Sequence, residues 1–97
     1  MLVPEIKSIP EYAYDALVAE IRRFQERLSD AMEVGILANG AGLTIHVGGV
    51  RQSGHMVVFN GVDADGREAR LIQHYTQIGV QMIAVAKLDS LARRIGF

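Results

Sequence analysis

The chain predicts a single α+β domain over residues 1–97, in the order αββββα. It would have a long N-terminal helix, an antiparallel sheet of about four strands and an apolar C-terminal helix. Three observations predict this. The segment Ser8-Ile9-Pro10-Glu11 carries a helix-start signal, and apolar residues follow it at helical spacing. Short alternating segments between residues 33 and 75 are separated by turn-forming clusters. The stretch 71–88 (LIQHYTQIGVQMIAVAKL) is apolar nearly all round and reads as a strand running into a helix.

The first helix is expected over residues 9–31. The Ser8 hydroxyl would accept from the amide three residues on, and the Glu11 carboxylate would reach back to Ser8. Pro10 falls in the first turn, where its missing N–H costs nothing. Tyr14, Leu17, Val18, Ile21, Phe24 and Leu28 make the apolar stripe, and Glu20, Arg22, Arg23, Glu26, Arg27 and Asp30 fill the other side. The arginine stripe with its interleaved acids reads as a salt-bridged solvent face, not as a nucleic-acid surface.

Residues 33–38 form the first expected strand and 43–47 the second, joined by the turn Asn39-Gly40-Ala41-Gly42. Residues 48–54 read as a loose glycine-rich loop carrying Arg51. The third strand, 55–61, is apolar on both faces, so both faces of the sheet centre should be covered. Asp63-Ala64-Asp65-Gly66 reads as a hairpin turn, and 67–75 as the fourth strand. Thr76 would cap the second helix, 76–88, and 89–97 would be a short tail. A helix greasy on every side is normally covered on every side. In a chain of 97 residues the cover would be a second copy, held through this helix.

Composition narrows the function. With 49% hydrophobic residues the chain can build a core, and with a formal net charge of -1 it has no global field to attract nucleic acid or an anionic membrane. The absence of cysteine excludes disulfides, thiolate metal sites and a thiol nucleophile, and fits a cytoplasmic protein. The start MLVPEIKS lacks the pattern of a signal peptide. No window reaches the roughly 18 apolar residues of a membrane span.

Familiar site patterns fail. Asp63-Ala64-Asp65-Gly66 does not place ligands for an EF-hand, since the positions counted from Gly66 would put Gly61 first and Ile72 last. Gly40-Ala41-Gly42 lacks the lysine and the following helix of a phosphate loop. His46, His55 and His74 lie on separate strands without metal-ligand spacing, so no metal and no cofactor is expected. No catalytic residue stands out. What remains is the junction Gln73-His74-Tyr75-Thr76, with Arg70 and His74 on one strand face, Arg51 in its loop, and Phe59 on the strand expected to pair with theirs. Arginine can fork two hydrogen bonds onto a phosphate, and an aromatic ring can stack on a base. The expected ligand site is therefore Arg51, Phe59, Arg70, Gln73 and His74, with Phe59 either in the pocket or in the core beneath the helix.

The chain resembles a family of small bacterial and prophage proteins known as a domain of unknown function. The matching residues are Glu33-Val34-Gly35, Thr44-Ile45-His46, Phe59-x-Gly61, Asp65-Gly66, Leu71-Ile72-Gln73-His74 and the ending Arg94-Ile95-Gly96-Phe97, in the same order over residues 14–97. The Leu-Ile-Gln-His block and the Arg-Ile-Gly-Phe ending are the specific parts. The chain departs from the pattern at Met32, at Leu37 and in the loop 48–54. A looser likeness, in size and α+β build, is to phage proteins that defeat host defence by sequestering nucleotide signals.

The leading expectation is a non-enzymatic homo-oligomer that binds a small anionic ligand of the cyclic-nucleotide or ADP-ribose type. The favoured version is a sponge for a nucleotide immune signal, with a pocket shared between subunits. The alternatives are a protein-interaction module docking a host protein, and a small hydrolase using His46 or His74.

Overall fold

In the computed structural model, which describes residues 6–87, the first element is the helix α1 (Ile9–Glu26). Its start is the predicted capping box: the Glu11 amide donates to Ser8 Oγ, and the Ser8 amide donates to Glu11 Oε1, each at 3.3 Å. The helix ends five residues earlier than its periodicity suggested. Ser29 and Asp30 follow, and both side-chain types compete with helical backbone bonding; the Met32 amide donates to Ser29 O and closes a turn there.

Five strands follow: β1 (Met32–Gly40), β2 (Leu43–Ser53), β3 (Met56–Val62), β4 (Glu68–His74) and β5 (Val80–Ala86). They form one antiparallel sheet in the order β4-β3-β2-β1-β5. The α+β class and the first four strands match the sequence expectation. Two predicted features do not. Residues 48–53 are not a loose loop: β2 runs through them, with an irregularity between Val47 and Gly49, and Gly54 falls in the turn to β3. Arg51 is therefore a strand residue, paired with Val58.

Among the described residues the predicted second helix is not formed, so it is not the element through which a second copy could be held. A 3₁₀ turn (Tyr75–Gln77) is followed by β5, which pairs with β1 from Val80 opposite Ala38 to Ala86 opposite Met32. Thr76 does not cap a helix; its amide donates to His74 Nδ1 at 3.3 Å, so His74 caps the 3₁₀ turn. Leu88 and the predicted tail lie outside the described residues.

The hairpins are tight. Between β1 and β2, Ala41 (φ 52°) and Gly42 (φ 76°) both take left-handed backbone, the signature of a two-residue turn that matches strand twist. Gly61 is needed for another reason. A Cβ there would lie 1.8 Å from the His46 carbonyl oxygen, so any side chain would force β2 and β3 apart.

The sheet rolls. β4 and β5 are its two edges, yet residues 75–79 alone connect them. Gln73 bridges the gap, donating from Nε2 to Asn39 O at 2.7 Å and accepting from the Gly79 amide at 3.3 Å. The inner side of the roll holds Val34, Ile36, Ala38, Ile45, Val47, Val50, Val57 and Phe59, packed against Ile21 of α1. Phe59, Val57, Ile21 and Ala38 are fully shielded from solvent. Tyr14 of α1 donates its hydroxyl to Val50 O at 3.1 Å and pins the helix to β2.

Candidate functional site

Side chains alternate across each strand, so the register fixes which predicted site residues can meet. On β4 the inner set is Ala69, Leu71 and Gln73, and the outer set is Arg70, Ile72 and His74. Phe59 pairs with Leu71, and Val57 pairs with Gln73. Asn60 pairs with Arg70, Val58 with Ile72, and Met56 with His74.

Two of the five predicted site residues therefore leave the site. Phe59 has no exposed surface and belongs to the core, the second of the two positions the sequence allowed it. Gln73 also faces inward, and both ends of its amide are occupied by the closure of the roll. It positions backbone; it does not face the same side as Arg70.

Arg51, Arg70 and His74 do share a side. Arg51 is opposite Val58, and Val58 is opposite Ile72 on the other flank, so a row of three strands runs Arg51, Val58, Ile72. Arg70 and His74 stand on either side of Ile72 along β4. Ile72 is 60% exposed and Met56 42%, so the arginines and the imidazole flank an apolar surface that water covers in the isolated chain. Among the described residues, neither the Arg51 nor the Arg70 guanidinium takes part in a hydrogen bond or ion pair. An unpaired guanidinium keeps its planar fork for an anion.

Three rings meet at the end of β4 nearest the 3₁₀ turn. His74 and Tyr75 lie 4.6 Å apart between centroids at a tilt of 34°. His55, at the tip of the β2–β3 hairpin, meets both edge-on, at 6.0 Å from His74 and 6.2 Å from Tyr75. The Tyr75 amide donates to His55 O at 3.0 Å, which holds the hairpin tip against the end of β4. His74 Nδ1 accepts from the Thr76 amide and lies 2.8 Å from the Thr76 hydroxyl. An accepting Nδ1 leaves the proton of the neutral ring on Nε2. His55 and Tyr75 were not among the predicted site residues. The available signal was that a histidine at a hairpin tip and an aromatic directly after His74 would both lie at one end of the sheet.

Beneath the patch, the Asn60 side-chain oxygen is cut off from solvent without a hydrogen-bond partner. Three residues of His, Asp or Glu do not come together as a metal-holding group among the described residues. His46 pairs with Leu37 and Val62, well along β2 from the ring cluster.

Asp63 and Lys7 are committed elsewhere. Asp63 accepts from the Arg67 backbone and guanidinium and from the Asp65 amide, and these bonds hold its carboxyl below the ordinary aspartate value. The same bonds tie the β3–β4 hairpin together. Lys7 pairs with Asp15, which raises the ammonium above its usual value. That pair lines a groove of about 360 Å³ on α1 together with Tyr14, Val18, Ala19 and Arg22. The groove lies on the helix, away from the arginine and ring surface of β4.

No helix among the described residues is long and apolar enough to cross a membrane. No family model matches the chain, and it matches neither a curated protein nor a solved structure. The class defined by fold and surface is a small α+β protein with a rolled five-stranded sheet and a cationic, apolar-floored outer face.

Proposed function

We propose that this chain is a non-enzymatic, homo-oligomeric binder of a small anionic ligand bearing a flat ring, with a nucleotide-type signal as the favoured ligand. The observation that carries the reading is the shared outer face of Arg51, Arg70 and His74 around exposed Ile72 and Met56. A nucleotide needs this combination: guanidinium forks for phosphate, and an apolar or aromatic face for the base. The His74–Tyr75 pair takes the stacking part first expected of Phe59. Sequestration without turnover, as in phage evasion of host defence, is the favoured use. It rests on the likeness in size and build to nucleotide sponges.

Calorimetry of the wild-type chain against cyclic dinucleotides and ADP-ribose derivatives tests the reading. At least one should bind, and an Arg70→Ala variant should stay folded while losing that binding. Equal binding by both chains would place the site elsewhere. Failure of every such ligand would favour docking of a host protein on the same surface. Recovering the ligand chemically unchanged after incubation separates a binder from a hydrolase.

A further inference from the structure

The backbone hydrogen bonds show which peptide groups of the two edge strands face outward. The Asn39 amide donates to Gly79 O at 2.8 Å and the Lys87 amide to Ala31 O at 3.0 Å, in register with the β1–β5 ladder. Bonded and non-bonded pairs alternate in an antiparallel ladder. Gln81, Ile83 and Val85 therefore spend their peptide groups on β1, and Val80, Met82, Ala84 and Ala86 turn theirs outward. On the other edge, the Asp63 amide donates to Arg67 O at 2.9 Å and the Tyr75 amide to His55 O at 3.0 Å, in register with β3–β4. Ala69, Leu71 and Gln73 are thus spent on β3, and Glu68, Arg70, Ile72 and His74 turn outward.

Each edge is a strand of 7 residues. Natural edges are normally blunted by charge, proline or a bulge. β5 (VQMIAVA) has no charged residue and no proline, and its pairing with β1 runs without a register shift. Such an edge invites a strand. β4, the other edge of the same sheet, supplies one of the same length; it carries Glu68 and Arg70, and between Arg70 and His74 its exposed Ile72 offers an apolar centre to the joint.

We infer that β5 of one copy pairs with β4 of the next, so that the copies join head to tail. Two β5 strands pairing with each other would leave every β4 edge open, whereas head-to-tail contact satisfies both rows at once. A heterologous contact of this kind closes into a ring or continues as an open chain. The joint sets β5 of the neighbouring copy beside Arg70, Ile72 and His74, which makes the ligand surface a shared one. The inference deepens the assembly part of the proposed function and does not depend on the ligand: a ligand-free chain should assemble equally.

Two proline variants test it. Ala84→Pro and Ile72→Pro each remove one outward N–H and leave the ladder to the neighbouring strand intact, the placement in which an edge strand tolerates proline. Native mass spectrometry and sedimentation should show wild-type multimers and a monomer for each variant. Mixing the two variants should give a one-to-one heterodimer, because one retains a working β4 and the other a working β5. Circular dichroism checks that each variant is folded. Should either fail, Ala84→Lys or Ile72→Lys replaces it, since an edge charge opposes pairing without touching the ladder. A monomeric wild type at high micromolar concentration would overturn the inference. So would a β4 variant that still assembles, or folded variants that form no heterodimer when mixed.

Discussion

On the inner side of β3 and β4, Phe59 stands opposite Leu71 and Val57 opposite Gln73; on the outer side, Asn60 stands opposite Arg70 and Met56 opposite His74. The two sets come from the same strands, one residue out of step. The inner set is closed by α1 and by the Gln73 bridge, and Phe59 and Val57 have no exposed surface. The outer set leaves Ile72 and Met56 in water with two unpaired arginines nearby. A single step of register thus separates Phe59 and Val57, which hold the fold, from Arg70 and His74, which are proposed to hold a ligand. Substitutions in the two sets should fail differently: Phe59 by unfolding the chain, Arg70 by losing the proposed ligand.

The largest effect is expected at Phe59. Truncating a fully buried aromatic removes its transfer free energy and leaves a cavity, so Phe59→Ala should cost about 3–5 kcal/mol. Chemical denaturation of the isolated variant reads this directly. A shift of under about 1 kcal/mol would mean that the inner face is not the closed core described, since only surface changes are normally that small.

The same comparison explains what the sequence made legible. α1 was legible because three signals agreed: a capping box at Ser8 and Glu11, proline in the first turn, and a one-sided apolar stripe through Val18 and Ile21. The turn at Asn39–Gly42 and the Asp63–Gly66 hairpin were legible from residues that tolerate positive φ. β5 was not. Val80 and Met82 pack toward the core cluster, while Ile83 and Val85 point to the outer side, so both sides of the strand are apolar and its alternation is invisible. A short run apolar on both sides reads equally well as a buried helix. The β-branched Val80, Ile83 and Val85 and the preceding Gly79 were the discriminating signals. Phe59 was ambiguous for the same reason, since β3 is apolar on both sides. Arg70 and His74 were paired correctly because period-two spacing on one strand needs no knowledge of register. Gln73, between them in sequence, had to face the other way by that rule.

Gln73 sharpens the comparison because it is polar and yet belongs to the inner set. Gln73→Ala would leave Asn39 O and the Gly79 amide without their bridge. The loss of partners at such groups costs about 1–3 kcal/mol. Amide hydrogen exchange should show faster opening at Gly79 and at the start of β5 than elsewhere. Unchanged protection there would mean that the roll is closed by packing alone.

The helix that covers the inner side depends on its own start. Ser8→Ala removes the acceptor for the Glu11 amide and should lower stability by about 0.5–2 kcal/mol. A midpoint unchanged within error would show that α1 is held on the sheet by Val18, Ile21 and the Tyr14 hydroxyl, without help from its cap.

The smallest effect on stability is expected at Arg70, and that is what makes it the counterpart of Phe59. Its guanidinium is exposed and has no partner among the described residues. Removing such a side chain normally changes stability by within about 0.5 kcal/mol. Arg70→Ala should therefore melt with the wild type while losing ligand, the reverse of Phe59→Ala, whose folded fraction should bind normally. The pair is read best as a cross: denaturation and calorimetry on both variants. If Arg70→Ala were destabilised by more than about 1 kcal/mol, Arg70 would be part of the fold, since exposed side chains away from packing normally change stability by less. The separation of the two sides by a single step of register would then fail at the residue on which the functional reading most depends.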